Sequence, residues 1–146
     1  MKILKETKII TNKVYVAVDG EKFGTERECR AYEQKLALMG KIEEAEKLRI
    51  EELDEMLPLD NAEMYENNTF RWYKINSRED FDTLCEACKT NWDYPINYPE
   101  IVCVETVGYY AYKDENYIYY LSTLMKAAKE FYEKFGYKLT FEKVGD

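Results

Sequence analysis

Cys85-Glu-Ala-Cys88 is the first spacing in this chain that could carry chemistry. A C-x-x-C pair can act as a redox couple or as half of a zinc site, with Cys29 and Cys103 as further ligands. The surrounding pattern points elsewhere. No second C-x-x-C is present, and Phe81, Leu84, Cys85 and Cys88 follow the i, i+3, i+4, i+7 spacing of one apolar helix face. A redox pair favours a helix N-terminus, where the first thiol is activated. Cys29 falls on another helical stripe, and Cys103 alternates with Val102 and Val104. All four therefore read as small buried hydrophobes, with no metal and no cofactor expected. The chain has no histidine, so it cannot form a Ser-His or Cys-His nucleophile pair or a His-ligated metal site. A Gly-rich phosphate loop, a G-x-S-x-G turn and a calcium-loop pattern are also missing. With 29 acidic residues some carboxylates must be neighbours, so proximity alone marks no catalytic pair. The expectation is a protein that is not an enzyme. A small enzyme using carboxylate or lysine chemistry ranks behind two binding readings.

Charge is the second signal. Ten acidic residues and two basic ones lie between Glu43 and Glu66, so this stretch carries the whole net charge of −8. Three interpretations stay open: a solvated helix face with pairs such as Glu43 and Lys47, mimicry of phosphate charge, or an acidic arm that docks on a basic partner. Direct nucleic-acid binding is disfavoured, because phosphate contacts need clustered Lys and Arg. Tyrosine is the third signal. Ten of the 14 tyrosines lie between Tyr94 and Tyr137, too many for one strand face and one helix face. Some should reach the surface, where a large rigid ring suits a protein interface. The candidate partner-binding residues are Glu43, Glu44, Glu51, Glu52, Asp54, Glu55, Tyr109, Tyr110, Tyr112 and Tyr119.

The elements that must position these residues follow from periodicity. The 146 residues suit one domain. Lys8 to Val18 alternates as a strand, Asp19-Gly20 turns it, and Glu21 to Phe23 returns. Thr25 and Glu28 form a capping box for a long helix of about 26–57, protruding or kinked at Gly40 and stopped by Pro58. Phe70 to Ile75 is a strand, Ser77 caps the next helix, and Ile101 to Val107 is another strand, which Gly108 either breaks or bulges before Tyr109 to Tyr112. A last helix is expected from Glu115, with Tyr117, Leu121, Leu124, Ala128, Phe131 and Phe135 on its stripe and Gly136 at its end. Tyr137 to Glu142 alternates as a final strand. The fold class is α+β: a small mixed or antiparallel sheet of four to five strands with three helices, one of them long and acidic.

Two segments carry a family likeness. Val14–Glu33 has a strand, a D-G turn, Phe23, the Thr25 cap and the helix start Glu28-Cys-x-x-Tyr32-Glu33. Phe70–Phe81 has a strand followed by a capped helix. Together they resemble small phage and prophage proteins. That group shares no single activity, so the resemblance transfers no functional residue. Some small acidic phage proteins inhibit host defence, anti-CRISPR proteins among them, and the likeness to those is one of size, charge and origin.

The leading expectation is therefore a phage-type protein that binds and inhibits a host macromolecule with a basic surface, a nucleic-acid-handling defence complex in the first instance. The alternative is a self-associating structural or regulatory module, a homodimer along the long helix with Leu48 and Leu53 in its seam. No apolar run approaches the ~20 residues of a membrane span. The N-terminus lacks the apolar run of a signal peptide, so a cytoplasmic location is expected, in the host if the chain is phage-encoded.

Overall fold

The computed structural model describes residues 12–58, 67–93, 96–108, 110–113 and 115–145. These form three α-helices and two antiparallel sheets, an α+β fold. The chain divides into two compact units, 1–38 and 39–146.

The first unit contains a hairpin of β1 (Tyr15–Val16) and β2 (Lys22–Phe23). Gly20 turns it with a φ of +92°, a value L side chains resist. Ala17 N–H donates to the Glu21 carbonyl at 2.8 Å, and the Asp19 side chain accepts from Glu21 N–H. Helix α1 (Glu26–Glu46) starts here, where Thr25 Oγ1 accepts from Glu28 N–H at 3.2 Å as the capping box requires. Tyr32 stacks on Phe23 with ring centroids 5.0 Å apart and donates its hydroxyl to Asp19. The expected first strand is longer than the observed one; residues 8–11 lie outside the described residues.

The second unit is built on a three-stranded sheet in the order β3 (Thr69–Ile75), β4 (Glu100–Thr106), β5 (Asn116–Tyr120). Its register pairs Tyr73 with Val102 and Val102 with Tyr120, and on the opposite face Trp72 with Cys103 and Cys103 with Tyr119. Helix α2 (Arg78–Ala87) packs on the first of these faces, where Phe81, Leu84, Cys85 and Cys88 join Tyr73, Ile75, Val102 and Val104. Ala45, at the end of α1, sits in the same core. Helix α3 (Leu121–Glu133) lies on the other face, where Leu124 meets Phe70, Trp72 and Cys103. Ser77 caps α2 as its sequence implies, accepting from Asp80 N–H at 3.2 Å.

Three expectations need correction. The long helix stops at Glu46 instead of reaching residue 57. Its apolar residues cannot share one stripe, because Leu48 packs into one core while Ile50, Leu53 and Leu57 pack into the other. The backbone instead leaves the helix and bonds along the outer edge of β3. Leu48 and Leu53 are therefore partly buried against the two cores, and they do not lie on the continuous helix along which a seam was expected. The last helix starts at Leu121, not near Glu115, because the aromatic and β-branched run Asn116-Tyr-Ile-Tyr-Tyr120 takes the free edge of β4 as a strand. Residues Tyr137 to Glu142 form no strand. Among the described residues no helix is long and apolar enough to cross a membrane.

Candidate functional site

The acidic stretch is held against the sheet by backbone bonds. Lys74 N–H donates to the Leu48 carbonyl and Ile50 N–H to the Trp72 carbonyl, both at 2.8 Å. Glu55 N–H donates to the Phe70 carbonyl at 2.9 Å, and the Trp72 indole N–H to the Met56 carbonyl at 2.8 Å. Residues 48–56 thus cover the edge of β3 that would otherwise present unpaired backbone groups. A 3₁₀ turn, Glu51–Leu53, arches between the contacts. Glu55 takes a φ of 65° to bring its N–H onto Phe70, a left-handed conformation costly for a residue with a Cβ.

Arg49 closes this arch. Its guanidinium donates from Nη1 to Glu46 Oε2 at 2.7 Å and, from Nε and Nη2, bidentately to Asp54. Glu46 Oε1 accepts from Arg71 Nη1 at 3.0 Å and from the Tyr112 hydroxyl at 2.7 Å. The Tyr73 hydroxyl donates in turn to Tyr112 at 2.9 Å. Burial pushes the Glu46 carboxyl up, but the hydrogen bonds from Tyr112 and Arg49 and the charges of Arg49 and Arg71 outweigh it and hold it below its ordinary value. Burial holds both tyrosine hydroxyls protonated, raising Tyr73 and, with help from Glu46 and Tyr73, Tyr112. Each member of this network is hydrogen-bonded to another, so the network fastens the arch to the sheet.

The candidate residues separate under this geometry. Glu43, Glu44, Glu51, Glu52 and Glu55 are exposed. Asp54 is consumed by Arg49. Tyr110 is 72 % exposed, and its ring lies 5.2 Å from the Lys113 ammonium. Tyr112 and Tyr119 are half-buried, and both hydroxyls bond to carboxylates inside the fold: Tyr112 to Glu46, and Tyr119 to Glu105 at 2.7 Å. Tyr109 lies outside the described residues. Sequence reasoning missed Arg49, Arg71 and Tyr73 as fasteners. It also missed Glu100 and Glu105, two buried carboxylates that bracket the apolar run of β4. The one available signal was positional: a carboxylate at each end of a strand too apolar to face water.

The cysteines are all free and buried. Cys85 and Cys88 lie in the core under α2, while Cys103 lies in the core under α3, so the sheet separates them. One ion cannot bind all three, and among the described residues no group of three His, Cys, Asp or Glu could hold a metal. Burial pushes the Cys88 thiol up to about 12 and raises Cys85, the reverse of an activated thiolate. A shallow cavity of about 370 Å³ lies at the C-terminal end of α2, lined by Asp82, Cys85, Glu86 and Lys89. Its carboxylates are already spoken for: Asp82 pairs with Arg78 at 3.0 Å and Glu86 with Lys41 at 3.2 Å. No family model, no curated protein and no solved structure matches this chain.

Proposed function

We propose that this is a binding protein that presents the exposed carboxylates of its edge segment to a basic surface on a macromolecular partner. The observation that carries the reading is the anchoring of residues 48–56 to β3 while Glu51, Glu52 and Glu55 stay in solvent. A flexible acidic tail loses conformational freedom when it docks, whereas an arch fixed at Leu48, Ile50 and Glu55 has lost most of it on folding. Its charge therefore steers and seats a basic partner with little ordering cost. Glu43 and Glu44, one turn before the end of α1, extend the same run of charge along the chain.

The target class that fits is a nucleic-acid-handling complex of a bacterial host. Its own ligand is polyanionic, so an acidic arch competes for the same groove. The small size and acidic charge that the chain shares with some anti-defence phage proteins suit an anti-defence role for that competition. The action would then take place in the host cytoplasm.

The test is affinity capture from nuclease-treated bacterial lysate, with the bound proteins identified by mass spectrometry and the complex reconstituted from purified parts. The comparison variant carries Glu43→Lys, Glu44→Lys, Glu51→Lys and Glu52→Lys. Asp54 is left intact because its loss would release Arg49 and confuse folding with binding. The expected result is one stoichiometric partner, bound less tightly at high salt and lost in the variant, whose melting temperature stays close to that of the wild type. A partner that the variant still holds would overturn the role of the acidic arch.

A further inference from the structure

Cys85 and Cys88 have no part in the acidic arch, and their setting is specific. Both lie in the core under α2, whose last residue is Ala87. Cys88 is the C-cap and keeps right-handed helical dihedrals, with φ −86° and ψ −2°. The pair therefore keeps the three-residue spacing of a helix face, which sets Cβ atoms about 5–6 Å apart. The charge of Cys85 acts on Cys88, so the two sulfurs are neighbours. A disulfide needs its Cβ atoms at about 3.5–4.5 Å, which the last turn of α2 reaches only by deforming. An ion seated between the sulfurs fits the helix as it stands, because two metal–sulfur bonds span more than one sulfur–sulfur bond.

Access and charge bear on the same point. Cys88 is fully buried, whereas Cys85 is 9 % exposed and lines the cavity at the C-terminal end of α2. The pair thus has an inner thiol and an outer one, with the cavity as the way in. Trp92 N–H donates to the Cys85 sulfur, and the charge of Arg78 favours its thiolate. Lys89 lines the same cavity. Oxygen ligands do not extend the site, since Asp82 and Glu86 pair with Arg78 and Lys41. Among the described residues no third His, Cys, Asp or Glu completes a larger ligand set. Zinc takes four ligands and calcium or magnesium six or more, so none of these suits the pair. Thiolates select soft cations, and Cu(I) accepts two of them as its whole coordination shell.

We propose that Cys85 and Cys88 form a two-thiolate site for a soft monovalent cation of the Cu(I) class, which enters through the cavity at the end of α2. Binding breaks two S–H bonds, forms two metal–sulfur bonds and releases two protons to solvent, with no change of oxidation state. Burial keeps both thiols protonated in neutral solution, with Cys88 pushed up to about 12 and Cys85 raised. The ion must therefore displace both protons, and its affinity climbs with pH. The other titratable groups around the pair are Tyr73 on β3 and Arg78, Asp82, Glu86 and Lys89 on and after α2. The chain has no histidine, so the slope near neutral pH comes from the two thiols.

The test titrates the reduced full chain with Cu(I), without oxygen, against a chromophoric Cu(I) chelator. The expected wild type holds one Cu(I) per chain, shows two sulfur neighbours by X-ray absorption, and gains about a hundredfold in affinity per pH unit around neutrality, the slope of two displaced protons. Cys85→Ala, at the cavity wall, should keep its circular dichroism and lose affinity about a hundredfold or more. Cys88→Ala, in the core, is the second variant and should lose it as well. Cys29→Ala, in the other compact unit, should bind as the wild type does. Wild-type protein that yields all its copper to the chelator overturns the proposal. So does copper with three or more sulfur neighbours, or a slope of only tenfold per pH unit, which would leave one thiol protonated. Copper retained by both Cys85→Ala and Cys88→Ala, or a zinc ion held as firmly as Cu(I), does so too.

Discussion

The indole N–H of Trp72 donates to the backbone carbonyl of Met56 at 2.8 Å, so a core side chain of the sheet grips the acidic arch from beneath. Trp72 is 3 % exposed and packs with Phe70, Cys103 and Leu124. The arch is thus a layer of the fold, fixed by the same residue that fills the core under α3. Its surface charge and its internal anchoring come from different residues, which makes the two separable by mutation.

Trp72→Phe removes the donor and leaves the Met56 carbonyl without it, while also opening a small void. The two effects together should cost about 2–4 kcal/mol of stability, read from a urea denaturation midpoint. The more specific sign is local. Exchange of the Glu55 amide, whose bond to Phe70 depends on the arch staying down, should accelerate more than exchange of amides within α2. Equal acceleration at both places would show that Trp72 stabilises the sheet without anchoring the arch. The proposed partner should also bind this variant less tightly, although no carboxylate has changed.

Glu46 makes the stability of this unit depend on pH in a defined direction. Its folded pKa lies below the ordinary value, so its contribution is complete above the unfolded value of about 4.3 and is lost as pH falls through the folded one. Glu46→Gln keeps one oxygen acceptor but abandons the charge that Arg49 and Arg71 share. At neutral pH the variant should melt below the wild type. The gap between them should close as pH drops below about 4, where the wild-type carboxyl is protonated as well. Melting temperatures from pH 7 down to 3 check this, and a gap of constant size would mean that the ionised carboxylate is not what the variant loses.

The parts of this fold that were legible in the sequence are those whose local and tertiary demands agree. Ser77 reads as a cap, Phe81, Leu84 and Cys85 read as one face, and Phe70 to Ile75 reads as a strand, because each is helix or strand by pattern and by burial alike. The misread segments are those where pattern and burial disagree. Leu48, Leu53 and Leu57 have helical spacing, yet the sheet divides them between its two faces. Tyr117, Leu121 and Leu124 continue a helical period across a boundary at Tyr120, and only the open edge of β4 tells the strand from the helix. The candidate site divided in the same way. The exposure of Glu51 and Glu52 follows from their charge, but the capture of Asp54 by Arg49 and of Tyr112 by Glu46 depends on partners at separations of 5 and 66 residues. Composition and periodicity do not register such contacts.

Helix α3 lacks a side-chain cap of its own, because its N-cap residue is Tyr120. Glu100, from the neighbouring strand, takes that role. Its Oε1 accepts from Ser122 N–H at 3.3 Å and from Ile101 N–H at 3.0 Å, and its Oε2 accepts from the Ser122 hydroxyl. A carboxylate at this position also meets the positive end of the helix dipole. Glu100 is 8 % exposed, so water cannot readily replace it. Glu100→Ala strips these donors of their acceptor and should cost about 1–3 kcal/mol, whereas Glu100→Gln, which retains one acceptor oxygen, should cost less than half of that. Denaturation midpoints of the two variants give the comparison, and amide exchange in the first turn of α3 locates the effect. Equal losses would assign the role to the charge; no loss in the alanine variant would mean that α3 is held by Leu124 and its packing alone.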